Sequence, residues 1–401
     1  MRTIPTLVLL AAMSASAFSQ RMPQGWYRAR AAIENGHAAG AISILDSAIG
    51  ANPVNHSLFL LRGQASLARR DYTSALSDFF ITDSLRPGSA SLWIARTYSQ
   101  TNNIPKAIEY LKQHLSLPEK ESEASLKLDP LLNGIKESPL WQNLWLTDWY
   151  SPQERLVARV EYLFTRKQWD EAIDLLNQQL RGRRGRHQLI ALRGQAYYMT
   201  GSYRAALADF ADALRRNRRN HTYMAWKAKT LTELDRPRQA HELLNRALQQ
   251  SGGEPHHFLL RAKVFASELK FMQAAEDVEY FLGFYPSNPE AIELFATYAQ
   301  QAGRLMEALR YLGRLISAYP QESSFYYRRA SIYIISKNWA FAEPDLLQAT
   351  TLDPNHADAL LQLGITQLNL GKAKEACSAF QRAKERGSFS AQEWLYLKCR
   401  R

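Results

Sequence analysis

Small and apolar residues return along this chain at a fixed interval. Alanines stand at Ala41, Ala75, Ala107, Ala172, Ala206, Ala240, Ala274, Ala308, Ala342 and Ala376, and the seven from Ala172 to Ala376 are spaced by 34. One helical turn later comes an apolar side chain in every case: Leu45, Phe79, Leu111, Leu176, Phe210, Leu244, Val278, Leu312, Leu346 and Phe380. Twelve residues before each alanine stands Ala29, Gly63, Ala95, Gly194, Ala228, Ala262, Ala296, Ala330 or Gly364, with Val160 the one larger residue. Twelve residues after it, Pro53, Pro87, Pro286, Pro320 and Pro354 break any continuing helix, because proline lacks an N–H and fixes φ.

The spacing predicts units of two helices each. A small residue on the first helix and the alanine on the second let the two backbones approach, and the apolar residue one turn on fills the seam. One hairpin cannot bury that face alone, so hairpins must stack into a solenoid with a continuous core. The period fails between Ala107 and Ala172, where Pro118, Pro130, Pro139 and Pro152 crowd the chain. We expect an interruption there. Trp141, Trp145 and Trp149 recur every four residues in that stretch and would share one helix face, either as packing or as an aromatic platform. The pattern Ser390-Ala391-Gln392-Glu393 reads as a capping box ahead of a last helix bearing Trp394 and Leu397, which would cover the exposed end of the stack.

Pieces such as Gly201-Ser202-Tyr203 with Ala206 and Phe210, or Gly364 with Ala376, Phe380 and Ala383, resemble the tetratricopeptide repeat family over about residues 33–117 and 152–389. The resemblance implies an all-α fold: a right-handed superhelical α-solenoid of about ten helix-turn-helix units with a C-terminal capping helix. The expected organisation is a signal peptide (1–19), an N-terminal block of about three repeats (20–117), a Pro/Trp-rich connector (118–151), a seven-repeat array (152–389) and the cap (390–401). It also implies a non-enzymatic scaffold of the cell envelope whose concave surface, lined by first helices, holds an extended peptide or a partner protein, or else an accessory subunit of an envelope enzyme or secretion complex. The row just after the small position is then Gln195, Lys229, Lys263 and Thr297, with Tyr198 and His256 beside it. Its stacked lysines suit an acidic side chain or a peptide carboxylate, or stand solvated. The family's chaperone-binding members use asparagines in this row, which this chain lacks, so that activity is not carried over.

The N-terminus runs Met1-Arg2, an apolar stretch from Ile4 to Met13, then small residues to Gln20, which is the order of an export signal. Cleavage would follow Ala17 or Ser19, and a mature Gln20 resembles exported proteins of Bacteroidetes-type bacteria. The expected location is periplasmic or secreted. Export places the two cysteines, Cys377 and Cys399, in an oxidising compartment, and we expect them to be disulfide-bonded.

A formal net charge of +12 is concentrated in two inter-repeat turns one period apart: Arg181, Arg183, Arg184 and Arg186, then Arg215, Arg216, Arg218 and Arg219. Side by side they would form a basic edge for an anionic lipid, polysaccharide or acidic protein, or merely solvated turns. Nucleic acid fits the charge but not the export. Arginines also precede aspartates by sixteen residues, as Arg62/Asp78, Arg193/Asp209, Arg261/Asp277 and Arg329/Asp345, a spacing that pairs them across each hairpin. No phosphate loop, nucleophile elbow or clustered metal-ligand pattern stands out, so neither cofactor nor metal is expected.

Overall fold

In the computed structural model the described residues are 22–181 and 187–399, and every regular element among them is helical. The expected export signal, residues 1–19, lies outside them. The chain divides into two compact units, the first ending at Val264 and the second beginning at Phe265. In unit 1, α1 (Gln24–Glu34) pairs with α2 (Ala38–Ala51), α3 (His56–Ala68) with α4 (Tyr72–Leu85), and α5 (Ser91–Gln100) with α6 (Ile104–Leu115). After the connecting segment come α9 (Pro152–Thr165) with α10 (Trp169–Leu180), α11 (His187–Met199) with α12 (Tyr203–Arg216), and α13 (His221–Glu233) with α14 (Pro237–Ser251). Helix α15 (Pro255–Ser267) contains the division. Unit 2 continues with α16 (Phe271–Leu282), α17 (Pro289–Gln301) on α18 (Leu305–Ala318), α19 (Ser323–Ile335) on α20 (Trp339–Leu352), α21 (Ala357–Asn369) on α22 (Ala373–Glu385), and α23 (Phe389–Lys398).

The periodic residues form the core. All ten alanines are fully buried, and the apolar residues one turn after them are at most 1% exposed. Size is matched across the seam: where the first helix has Gly63, Gly194 or Gly364, the second has Phe79, Phe210 or Phe380, and the other repeats combine a larger residue with Leu or Val. A Cβ on Gly63 would lie 2.5 Å from the Phe79 ring, and one on Gly364 equally close to Phe380. The ring occupies the volume that the glycine leaves.

Beside this seam, arginines clamp the hairpins. Arg62 grips Asp78 through Nε and Nη2 (2.9 and 2.7 Å), and Arg193 and Arg329 grip Asp209 and Asp345 in the same bidentate way. The remaining nitrogen reaches sixteen residues back to the preceding hairpin: Arg62 to Asp46 (2.7 Å), Arg193 to Asn177 (2.8 Å), Arg261 to Asn245 (2.6 Å). One guanidinium thus ties three helices with planar, charge-assisted bonds. Where Lys227 replaces arginine, the facing position is the buried Leu243, and burial followed by Arg236 and Arg246 lowers the lysine's pKa.

Each hairpin turn is closed by the same backbone device. The residue five before each alanine has positive φ: glycine at Gly36, Gly201, Gly303 and Gly371, but Arg70, Asn102, Lys167, Asp235, Leu269 and Lys337 elsewhere. The next amide reaches back to a carbonyl five residues earlier, as from Asp71 to Ser66 (3.0 Å) and Ser202 to Tyr197 (2.8 Å), which satisfies an otherwise orphaned helix-end acceptor.

The segment 118–151 is packed into unit 1. It holds α7 (Glu123–Leu128), a 3-10 turn (Pro130–Ile135) and α8 (Pro139–Leu144), whose Leu126, Leu132, Ile135, Trp141 and Leu144 share one core with α5 and α6. Gly134 lets the 3-10 turn lie on α5, since a Cβ there would meet the Ser99 carbonyl oxygen at 2.5 Å. The buried pair Arg96 and Asp129 fixes the same contact at 2.6 Å. The tryptophan stripe is part of this packing: Trp141 is buried, Trp145 meets it edge-on at 5.3 Å, and Trp149 donates to the Leu144 carbonyl. At the seam with α9, Lys120 pairs with Glu154 (2.7 Å) and Tyr150 donates to the Glu121 carbonyl (2.7 Å). Helix α9 opens with a capping box of Ser151 and Glu154. Burial raises the carboxyl pKa of both Glu121 and Glu161, and the Glu121 charge raises that of Glu161 further.

At the other end, α23 starts two residues earlier than the expected cap motif would place it. Gly387, at φ +91°, ends α22 and leaves Ser388 extended, so Ser388 rather than Ser390 caps the helix by accepting from the Ala391 amide. Trp394 stacks on Phe380 at 5.6 Å, and Cys377 is bonded to Cys399. Closing that 22-residue separation contributes about 3 kcal/mol in the chain-entropy account.

Three outcomes follow in urea unfolding. Gly63→Ala, which drives a methyl group into Phe79, should cost about 1–3 kcal/mol. Leu269→Gly, which relieves a left-handed leucine, should stabilise by about 0.5–1 kcal/mol. For Glu161, the raised pKa means that the folded state holds its proton more tightly than the unfolded chain, so stability is lost as pH rises above the ordinary value of 4.5. Glu161→Gln should therefore be more stable than wild type at pH 7 and indistinguishable from it below about pH 4.5. A constant difference at every pH would show that the carboxylate's charge is not the cause.

Candidate functional site

Stacking places the first helices α11 and α13 side by side, and their side chains meet in one cationic–aromatic cluster. The Lys229 ammonium lies 4.6 Å from the Tyr198 ring centroid and 5.0 Å from that of Trp226. Tyr198 itself meets Trp226 edge-on at 5.7 Å and Tyr203 at 5.4 Å, while Trp226 stacks on the core ring of Phe210 at 6.0 Å. The Tyr198 hydroxyl donates to Glu233 Oε1 at 2.8 Å. Burial, and then this bond to a carboxylate, raises the phenol's pKa, so it remains a donor at all physiological pH. A cation held over two ring faces gains of order 0.5–2 kcal/mol, and here the rings also fix where the charge sits.

Two of the expected groove residues, Tyr198 and Lys229, are thus brought together. Gln195 is half-buried on α11, and Lys263 is exposed on α15. His256 lies at the start of α15, with Nδ1 3.0 Å from Glu254 Oε1. Thr297 belongs to unit 2, where its hydroxyl donates to the Glu293 carbonyl (2.9 Å) and accepts from Arg328 Nη1 (3.0 Å); Arg328 also pairs with the Glu293 carboxylate (2.7 Å). The sequence reading passed over Trp226 and Glu233, although they stand three residues before and four after Lys229 and so share its helix face. It likewise passed over Glu293 and Arg328.

In the basic turns, Arg183, Arg184 and Arg186 lie outside the described residues. Arg181, Arg215, Arg216, Arg218 and Arg219 are exposed. Asp212 takes both Arg215 (3.0 Å) and Arg216 (3.3 Å), whereas Arg218 and Arg219 have no acidic partner among the described residues. His187, which opens α11, has its pKa lowered by burial and then by Arg216, and its Nδ1 lies 3.0 Å from the Tyr223 hydroxyl on α13. No group of three His, Cys, Asp or Glu suited to a metal occurs among the described residues, and none of their helices is long and apolar enough to cross a membrane.

These features define an all-helical repeat protein that presents side chains from successive first helices. A tetratricopeptide repeat model matches residues 28–81, 191–255 and 294–350, and a second matches 346–378. With just over half of the chain matched, this protein belongs to the tetratricopeptide repeat family, whose members generally act as protein-binding scaffolds. Over 98 residues it is 34% identical to human tetratricopeptide repeat protein 13, covering 24% of this chain and 11% of that one. Over 172 residues it is 26% identical to human tetratricopeptide repeat protein 16, covering 38% of this chain and 20% of that one. The chain therefore spans only a minor part of these relatives. The C-terminal part of a tetratricopeptide repeat protein from Cytophaga hutchinsonii is similar in fold, with a TM-score of 0.52 at 14% identity, over 59% of this chain and 98% of that one.

Proposed function

We propose that this protein is a non-enzymatic scaffold of the cell envelope, periplasmic or secreted, whose unit 1 binds an extended, acidic segment of a partner protein across α11 and α13. The observation that supports this reading is the Lys229 cluster. Its ammonium is oriented by Tyr198 and Trp226, and flat aromatic faces beside it offer contact area at little conformational cost. A carboxylate arriving there meets a positioned cation and the edge of an aromatic cluster, while the flanking Glu233 selects against other acidic registers. The export-type N-terminus and the Cys377–Cys399 bond support the envelope setting. A second reading is carried by Arg218 and Arg219, which are exposed and have no acidic partner among the described residues. That edge would dock on anionic lipid or polysaccharide.

Crosslinking capture from the native periplasmic fraction tests the first reading. The Lys229→Ala, Lys263→Ala protein should keep its fold and lose at least about tenfold of its affinity for the captured partner, as expected when a charged hydrogen-bond donor is removed from an interface. Identical captures by both proteins would remove the cluster as the site. Serine at Arg215, Arg216, Arg218 and Arg219 should leave that capture intact, and loss of salt-sensitive envelope association in this variant alone would favour the basic edge.

A further inference from the structure

Unit 1 contains a contact that stacking of neighbours does not require. The Tyr27 hydroxyl of α1 donates to the Ser251 carbonyl at the end of α14, at 2.6 Å and across 224 positions of sequence. The Met22 amide donates to the same oxygen at 3.3 Å. Tyr27 is 2% exposed and Ser251 1%, so this junction excludes water. The receiving turn is built for it. Gly252 and Gly253 both have positive φ (79° and 98°), and the Ser251 hydroxyl accepts from the Glu254 amide at 3.1 Å, which seats the buried Glu254 beside the junction. The Glu254 carboxylate pairs with His256 and feels the charge of Arg30 from α1. His257, next to it, is buried with its Nε2 2.9 Å from His221 Nδ1.

In a helical-repeat stack each hairpin touches only its neighbours. Here the first hairpin touches the end of the sixth, so the run of contacts through unit 1 returns on itself. The junctions along the run are not equal. Neighbouring hairpins are also tied to each other by the chain itself, whereas α1 meets the α14–α15 turn across 224 positions of sequence, at one doubly accepting carbonyl with the charges around Glu254 beside it. We propose that the α1–Ser251 junction is a latch that closes unit 1 end to end, and that the unit opens by parting there.

With the latch shut, the spacing of α11 and α13 is constrained from both ends of the run, and the Lys229 cluster is held in one geometry. That last consequence rests on the proposed binding face; the latch does not. Opening would let the first-helix face change its curvature around a partner.

Amide hydrogen exchange on the full chain tests the latch from both sides. Tyr27→Phe keeps the ring and removes the hydroxyl, and Glu254→Gln keeps the shape and removes the charge. Each should speed exchange in residues 22–34 and in 248–258 together, by about fivefold for Tyr27→Phe, which loses one net hydrogen bond across the junction, with 373–385 unchanged. A variant that loosens only its own segment, or leaves both unchanged, overturns the latch. Lys229→Ala serves as the control that separates the two readings: it should leave exchange in both segments as in wild type, and altered exchange there would show that the two sites are not independent.

Discussion

Two helices of a hairpin can approach only as closely as the side chains between them allow, and in this chain one contact per hairpin sets that distance. The small residue on the first helix faces the apolar residue on the second, and their sizes compensate: glycine with phenylalanine at Gly63/Phe79, Gly194/Phe210 and Gly364/Phe380, a larger residue with leucine or valine elsewhere. Interiors are close-packed, so neither partner can change without the other. The arginine clamp lies at the adjacent position. Arg62 and Arg193 can span three helices only because the seam beside them fixes the helix spacing. An unpaired guanidinium there would be costly, so the clamp penalises any slip of one helix along the other.

The functional surface is a consequence of this register. Trp226 stands on the core ring of Phe210, and Tyr198 and Lys229 stand on Trp226, so the cluster is an outward extension of the same seam. Its geometry is inherited from the core rather than from a loop. The segment 118–151 has a comparable role in unit 1. By continuing the core of α5 and α6 with short helices, it stands where a regular hairpin would, in the same unit in which the first hairpin lies against the Ser251 turn.

Much of this was legible in the sequence because the repeat reports the same constraint ten times. The alanine ladder, the small and apolar partners and the sixteen-residue Arg–Asp spacing each correspond to a contact of the fold. The left-handed turn position was hidden, since six of its ten residues are not glycine. The third partner of the clamp was readable in principle: Asp46, Asn177 and Asn245 precede their arginines by the same sixteen residues. Trp226 and Glu233 lie on the helix face of Lys229, but the repeat pattern marks the small position and its successor rather than these neighbours, so neither stood out. The latch could not be read from periodicity, which describes only neighbours; the one sign of it is Gly252-Gly253, the single pair of adjacent glycines in the chain.

The seam and its clamp act as a single unit, and the chain contains its own control in Lys227 opposite Leu243. A double-mutant cycle that transplants this pair into the preceding repeat is the most direct measurement. Asp209→Leu alone removes both carboxylate bonds of the Arg193 guanidinium and leaves its bond to Asn177, and should cost about 1.5–3 kcal/mol in urea unfolding. Arg193→Lys together with Asp209→Leu should recover at least about half of that loss, because the slimmer lysine can lie along the leucine and carry its charge to solvent. If the double variant is as unstable as Asp209→Leu alone, the clamp and the seam are not one coupled unit, and the account is contradicted.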